Sequence, residues 1–194
     1  MAGARRQSAP PDARAGTDDA LLTVRAAEGD EDAFAVLVQR HAPSLIRLAT
    51  RLLGSRTEAE DAVQDAFISA WRRLPEFHNR SSFGTWMYRI STNRCLNVLR
   101  SRRPVAPLEA AGDVPAPEYA ASPARIAEAR GAVRALREAL DLLSAEQRAC
   151  WVLRELDGQS YEFIADAVGI SQEAVRARVF RARRCLTQAL GAWR

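Results

Sequence analysis

The chain has 194 residues and a mass of 21.4 kDa, room for one medium domain or two small ones. With 47% apolar and 27% charged residues it has the balance of a globular protein, which excludes disordered and fibrous classes. Its apolar runs are only a few residues long, whereas a bilayer span needs roughly 20, so no membrane insertion is expected. All of the 28 basic residues are arginine, a bias of the kind a GC-rich genome produces. Cys95, Cys150 and Cys185 fit neither a disulfide framework nor a paired zinc motif; they read as reduced, mostly buried thiols. Met1 to Gly16 carries Arg5, Arg6, Pro10 and Pro11 but no apolar stretch, so it is not a secretory signal and a cytoplasmic location is expected.

In chain order, residues 1–17 read as a disordered tail. Residues 18–103 contain only Pro43 and Pro75 and carry apolar residues at helical spacing. Thr57 and Glu60 suggest a capping box ahead of a stripe of Ala59, Ala62, Val63, Ala66, Phe67, Ala70, Trp71 and Leu74. Pro104, Pro107, Pro115, Pro117 and Pro123 then crowd a stretch that cannot continue a helix, so residues 104–124 read as a flexible linker. Residues 125–194 return to helical periodicity, with Ser144 and Gln147 as a capping pair, a short helix from Ser160 to Gly169, and Ser171 capping the last helix. No segment alternates as a strand would. The predicted fold is all-α: two small helical domains joined by a proline-rich linker.

Charge is sorted along this chain. Glu28 to Asp65 holds eight acidic residues against four arginines, whereas Glu76 to Arg103 and Ser171 to Arg194 each hold six arginines against one acid. Basic segments of this density suit phosphate backbones, where each neutralised phosphate releases counterions. Taken singly, either basic segment could be a solvated helix face. In the second module Ile164, Ala165, Val168, Gly169, Ile170 and Val175 have the spacing of a helix-turn-helix. On the helix that follows, Val175, Val179, Ala182, Leu186 and Leu190 form one stripe, while Arg178, Arg181 and Arg184 fall outside it, as DNA readers do. In the first module Phe77, Phe83, Trp86 and Tyr88 are interleaved with polar residues, a composition that can stack and pocket unpaired bases. Trp86 and Ile90 suit a helix core equally well.

The segments AEDAVQDAFISAWRRLPEF, SSFGTWMYRISTNRCLNVLRSRR and LRELDGQSYEFIADAVGISQEAVRARVFRARRCL resemble the extracytoplasmic-function group of the sigma-70 family of transcription initiation factors, over Asp18 to about Leu190. That resemblance implies sigma domain 2 over 18–103, followed through the linker by sigma domain 4 over 125–194, in an alternative sigma factor. It implies that the chain binds core RNA polymerase, recognises minus-thirty-five and minus-ten elements, and helps melt the promoter. By the same resemblance Asp61, Gln64, Asp65, Phe67 and Trp71 meet the clamp coiled coil of polymerase, and the second domain meets its flap. Asn79, Arg80, Ser81, Ser82, Phe83 and Trp86 form the loop that captures a minus-ten base, and Arg89, Asn93, Asn97 and Arg100 lie on the helix behind it. Arg176, Arg178, Arg181, Arg183 and Arg184 face the minus-thirty-five element. Many relatives are restrained by an anti-sigma factor, so that partner is implied too, together with a nucleoid-associated place in the cytoplasm.

Three departures stand out: Ser144 and Ala145 replace a usual Leu-Pro, Asn97 a common aspartate, and Glu173 and Ala174 the small residue and threonine that often open the recognition helix. No glycine-rich phosphate loop, H-E-x-x-H or G-x-S-x-G motif occurs, so neither catalysis, a cofactor nor a metal is expected. A repressor or activator using the helix-turn-helix alone remains the rival reading; it leaves the acidic helix and the aromatic loop without a role.

Overall fold

The structure is a computed structural model that describes residues 11–77, 81–102 and 123–191. Helices α1 (Pro11–Ala27), α2 (Glu31–Leu53), α3 (Arg56–Arg73) and α4 (Phe83–Ser101) form the first module, and a 3-10 turn (Leu74–Glu76) follows α3. Helices α5 (Pro123–Asp141), α6 (Ala145–Trp151), α7 (Tyr161–Val168) and α8 (Gln172–Leu190) form the second, with a π-helical turn (Val152–Leu156) after α6. The described residues contain no strand, in keeping with the all-α expectation.

Local chemistry sets most boundaries. Asp30 caps α2, its carboxylate accepting from the Ala33 amide at 2.9 Å, and that bond, followed by the Arg25 side chain, holds its carboxyl below the usual range. The α2 helix stops at Gly54, whose φ of 75° puts it in the left-handed region. The cap of α3 corrects the sequence reading: Ser55, not Thr57, takes the extended conformation and accepts from the Glu58 amide. Gly54 ends one helix and Ser55 can start the next at once, leaving Thr57 already inside α3. Ser144 with Gln147 closes a reciprocal capping box on α6, and Ser160 and Ser171 cap α7 and α8, as their spacing predicts.

Two other limits differ from expectation. The helix α1 starts at Pro11, within the segment that reads as a tail, and α5 starts at Pro123, just inside the expected linker. In both cases proline opens the helix, where its missing N–H would have had no partner and its fixed φ is already helical.

In the first module α2 packs on α1, α3 and α4, and in the second α8 packs on α5, α6 and α7. The α3 stripe behaves as its periodicity demands: Ala59, Ala62, Val63, Ala66, Phe67 and Ala70 are all buried. The modules also meet one another, α4 lying against α6 and α7. Met87, Cys95 and Leu96 of α4 belong to the same buried cluster as Cys150, Val152, Leu153, Ile164 and Val168. A smaller cluster of Ala139, Leu140, Leu143, Ala182 and Leu186 ties α5 to α8. Cys95 and Cys150 are fully buried and Cys185 partly so, all three free.

Candidate polymerase and promoter surfaces

Three surfaces carry the predicted residues. The first is a groove of about 650 Å³ between α2 and α3, lined by Phe34, Val38 and Ile46 on one side and Gln64, Phe67 and Trp71 on the other, with Glu31, Glu60 and Arg72 at its rim. Phe34 packs on Trp71 with ring centroids 4.8 Å apart and edge-on to Phe67, which gives the groove an aromatic, apolar floor. Ile68, 44% exposed, stands on this groove; the sequence reading missed it, although its place one residue past the Phe67 stripe is the available signal. Gln64 is exposed, Trp71 half-buried and Phe67 buried. Asp61 is exposed on the same helix, while Asp65 is ion-paired with Arg94 of α4. Glu58 is likewise engaged, by Arg102.

The second surface is α4 and the turn before it. Asn79 and Arg80 lie outside the described residues. Ser81 is half-buried, and Ser82 is the cap of α4, its hydroxyl accepting from the Thr85 amide at 3.2 Å and lying 2.9 Å from the Thr85 hydroxyl. Phe83 is a correction: at 3% exposure it is a core residue, packed between Phe34, His41 and Trp86, and cannot stack a base. Its register explains this, because the first helical residue after the cap turns in toward α2. Trp86 is half-buried with one face stacked on Phe77 at 4.5 Å. Behind them Arg89, Asn93, Asn97 and Arg100 follow at helical intervals along α4. Asn93 and Asn97 are exposed; Arg89 is ion-paired with Asp166 at 2.5 Å and Arg100 with Glu146 at 2.8 Å. The latter contact, more than any other, lowers the pKa of Glu146.

The third surface is α8. The turn before it runs through Gly169, φ 74°, whose amide donates to the Ala165 carbonyl at 2.9 Å. Ile164, Ala165, Val168, Val175 and Val179 fill the angle between α7 and α8, the helix-turn-helix that the spacing predicts. Arg176, Arg181, Arg183 and Arg184 are exposed, and Arg178 is only half-exposed. The Arg178 guanidinium folds back to the Ala174 carbonyl at 3.4 Å, Arg183 pairs with Glu155 at 2.7 Å, and Arg176 lies over the Tyr161 ring at 5.3 Å. Arg181 and Arg184 have no ion-pair partner among the described residues. Phe180, 60% exposed, stands one turn from both Arg176 and Arg184, and the sequence reading passed over it; an aromatic outside the apolar stripe of a basic helix was the signal.

Among the described residues no cluster of His, Cys, Asp or Glu could hold a metal ion, and no helix is long and apolar enough to cross a membrane.

Comparison with known proteins identifies the family. Residues 37–105 match the family model "Sigma-70 region 2" and residues 133–186 match "Sigma-70, region 4". Over 181 residues the chain is 34% identical to the RNA polymerase sigma factor NccH of Alcaligenes xylosoxydans xylosoxydans, covering 89% of this chain and 94% of that protein. It is equally identical over 186 residues to the ECF RNA polymerase sigma-E factor of Escherichia coli K12, covering 87% and 92%. Among solved structures it resembles CnrH in complex with the cytosolic domain of CnrY, at 31% identity and a TM-score of 0.63 over 90% of this chain and 98% of that one. It also resembles the sigma factor RpoE in complex with the anti-sigma factor NepR from Bartonella quintana, at 27% identity and a TM-score of 0.62, covering 83% and 98%. A region 2 and a region 4 in one short helical chain, with relatives of matching length, mean that this protein belongs to the extracytoplasmic-function group of the sigma-70 family, alternative sigma factors that direct promoter-specific transcription.

Proposed function

We propose that the three surfaces divide the work of an alternative sigma factor between them. The α2–α3 groove takes the clamp coiled coil of core RNA polymerase: Ile68, Phe67 and Trp71 supply the apolar contact, and Asp61 and Gln64 the polar rim. Asp65, exposed on the same helix and paired with Arg94, adds to that rim. The aromatic pair Phe77 and Trp86, with Ser81 and the neighbouring Asn79 and Arg80, receives a base extruded from the minus-ten element, and Arg89, Asn93, Asn97 and Arg100 hold the strand behind it. On α8 the exposed row of Arg176, Phe180 and Arg184, flanked by Arg181, enters the major groove of the minus-thirty-five element. Arginine there contacts guanine or phosphate, and the Phe180 ring suits a thymine methyl. Arg178 and Arg183, each already bonded within the protein, lie at the margin of that contact.

This reading divides the chain as 18–103 for polymerase and the minus-ten element and 125–194 for the minus-thirty-five element and the polymerase flap. It has the chain binding rather than catalysing, in the cytoplasm beside the nucleoid. The solved relative whose description names the anti-sigma factor NepR supports an inhibitor of that class as a further partner. The observation that carries the reading is the exposed Arg176–Phe180–Arg184 row on the second helix of a helix-turn-helix, in a chain that also opens an apolar groove on a separate module. Transcription in vitro with core polymerase and genomic DNA tests it: start sites should appear only when this chain is added, sharing two sequence elements. A chain that binds duplex DNA yet neither co-purifies with polymerase nor adds start sites would be a simple repressor or activator.

A further inference from the structure

Of the side chains that α8 exposes, Glu173 is the one that phosphate binding leaves without a role. It is the only acid in a helix that carries five arginines, and its exposed carboxylate has no ion-pair partner among the described residues. Neighbouring acids are engaged: Glu155 holds Arg183 at 2.7 Å and Asp166 holds Arg89 at 2.5 Å. Arg176, one turn on from Glu173, lies over the Tyr161 ring instead. At about 100° per residue, Glu173, Ala177 and Arg181 form a row beside that of Arg176, Phe180 and Arg184. The two rows together stand opposite the buried Val175, Val179, Ala182 and Leu186. Glu173 therefore lies near the middle of the face that the arginines present, and on its first turn. In a helix-turn-helix the first residues of the second helix are those that reach base edges.

A carboxylate at that place is repelled by phosphates, so any favourable contact it makes has to be with a base. Ionised, it only accepts hydrogen bonds. In the major groove guanine and thymine offer acceptors, and adenine sets its N7 acceptor beside its N6 amino group. Cytosine alone offers a donor, its N4 amino group, with no acceptor next to it. We propose that Glu173 is a specificity-determining residue: it reads a cytosine in the minus-thirty-five element, accepting from the N4 amino group, and turns away the other three bases. The proposal rests on the reading of α8 as the minus-thirty-five helix. Ala177, small and half-buried one turn on, leaves the carboxylate room to follow the base edge. A guanidinium binds any phosphate, whereas a carboxylate on the same face disfavours every sequence that lacks the donor. The helix dipole also favours an acid in the first turn, but that role needs no base-facing position, and Ser171 already caps the Ala174 amide at 3.1 Å.

The test uses holoenzyme assembled from the full chain and core polymerase, on a promoter mapped by transcription whose minus-thirty-five element is varied one base pair at a time. The parent should prefer cytosine at one position by about tenfold, within the range of a good base contact. Glu173→Ala should flatten the preference at that position and leave the others as they are. Glu173→Gln places there the amide that pairs bidentately with adenine, and should move the preference from cytosine towards adenine. A purely structural role for Glu173 would move no base preference. Cytosine preference kept in both variants, or an equal weakening at every position, overturns the proposal. If Arg176→Ala and Phe180→Ala also leave every upstream preference unchanged, α8 is not the reader, and the reading of α8 falls together with the proposal.

Discussion

Asp61 and Asp65 lie one turn apart on α3, but only Asp65 has an arginine partner among the described residues. Asp61→Arg should therefore abolish co-purification with core polymerase at unchanged helix content, because it reverses charge at an interface and disturbs nothing inside. Asp65→Arg should also weaken docking and in addition face Arg94, costing up to about 1 kcal/mol of stability as expected for an exposed pair; the two variants separate in a thermal melt. Co-purification of Asp61→Arg at the parent level would remove α3 from the polymerase interface. Phe180 makes a base-level prediction. Replacing thymine by uracil deletes one methyl, worth about 0.8 kcal/mol if buried against the ring, so one position of the minus-thirty-five element should lose roughly fourfold in affinity. With Phe180→Ala that sensitivity should vanish, and persistence of the uracil effect would move the contact elsewhere. Arg148, 3% exposed, has a well-exposed partner in Asp141 and an unpaired Nε, and burial more than any neighbour lowers its pKa. Arg148→Met keeps the apolar stem and leaves Asp141 in water, so the melting temperature should hold or rise. A marked fall would mean that the ion pair contributes more than its desolvation costs.

At the scale of elements, the helix-turn-helix depends on one backbone conformation. Gly169 has φ 74° and open space where a Cβ would stand, so Gly169→Ala isolates the cost of a left-handed alanine, about 1 to 2 kcal/mol. Gly169→Asn, better tolerated there, should recover part of it. Both measurements come from denaturant unfolding of the full chain; equal stability of all three chains would show that the turn relaxes. The capping serines acted as local signals at Ser144, Ser160 and Ser171, where a cap and its amide lie three residues apart. The same rule named Thr57 in place of Ser55, because two overlapping patterns fit the sequence and only the position of the Gly54 stop selects between them. Phe83 was misread for a similar reason: the residue after a cap can face either the loop or the bundle, and the packing of α4 against Phe34 and His41 decided it.

At the scale of the whole molecule the buried cluster runs through both modules, and the thiols report on it. Burial pushes Cys95 up to about 12 and Cys150 up to about 11, while Cys185 is partly exposed. A thiol reagent at neutral pH should modify Cys185 quickly and the other two only as the fold opens. Three equally fast thiols would show that the core opens readily.

The sequence by itself determined the helical class, the break between modules, the helix-turn-helix and the family, because periodicity, proline, glycine and capping residues act within a few positions of one another. It also placed the arginines of α4 and α8 and the asparagines of α4 on their helices. Tertiary structure alone decided which of those side chains are available. Phe83 went to the core, Arg178 folded back on its own helix, Asp65 was taken by Arg94, and Arg89 and Arg100 were engaged by acids roughly 45 to 80 positions away. Availability depends on which surfaces meet across long sequence separations, and neither helical periodicity nor local charge carries that information.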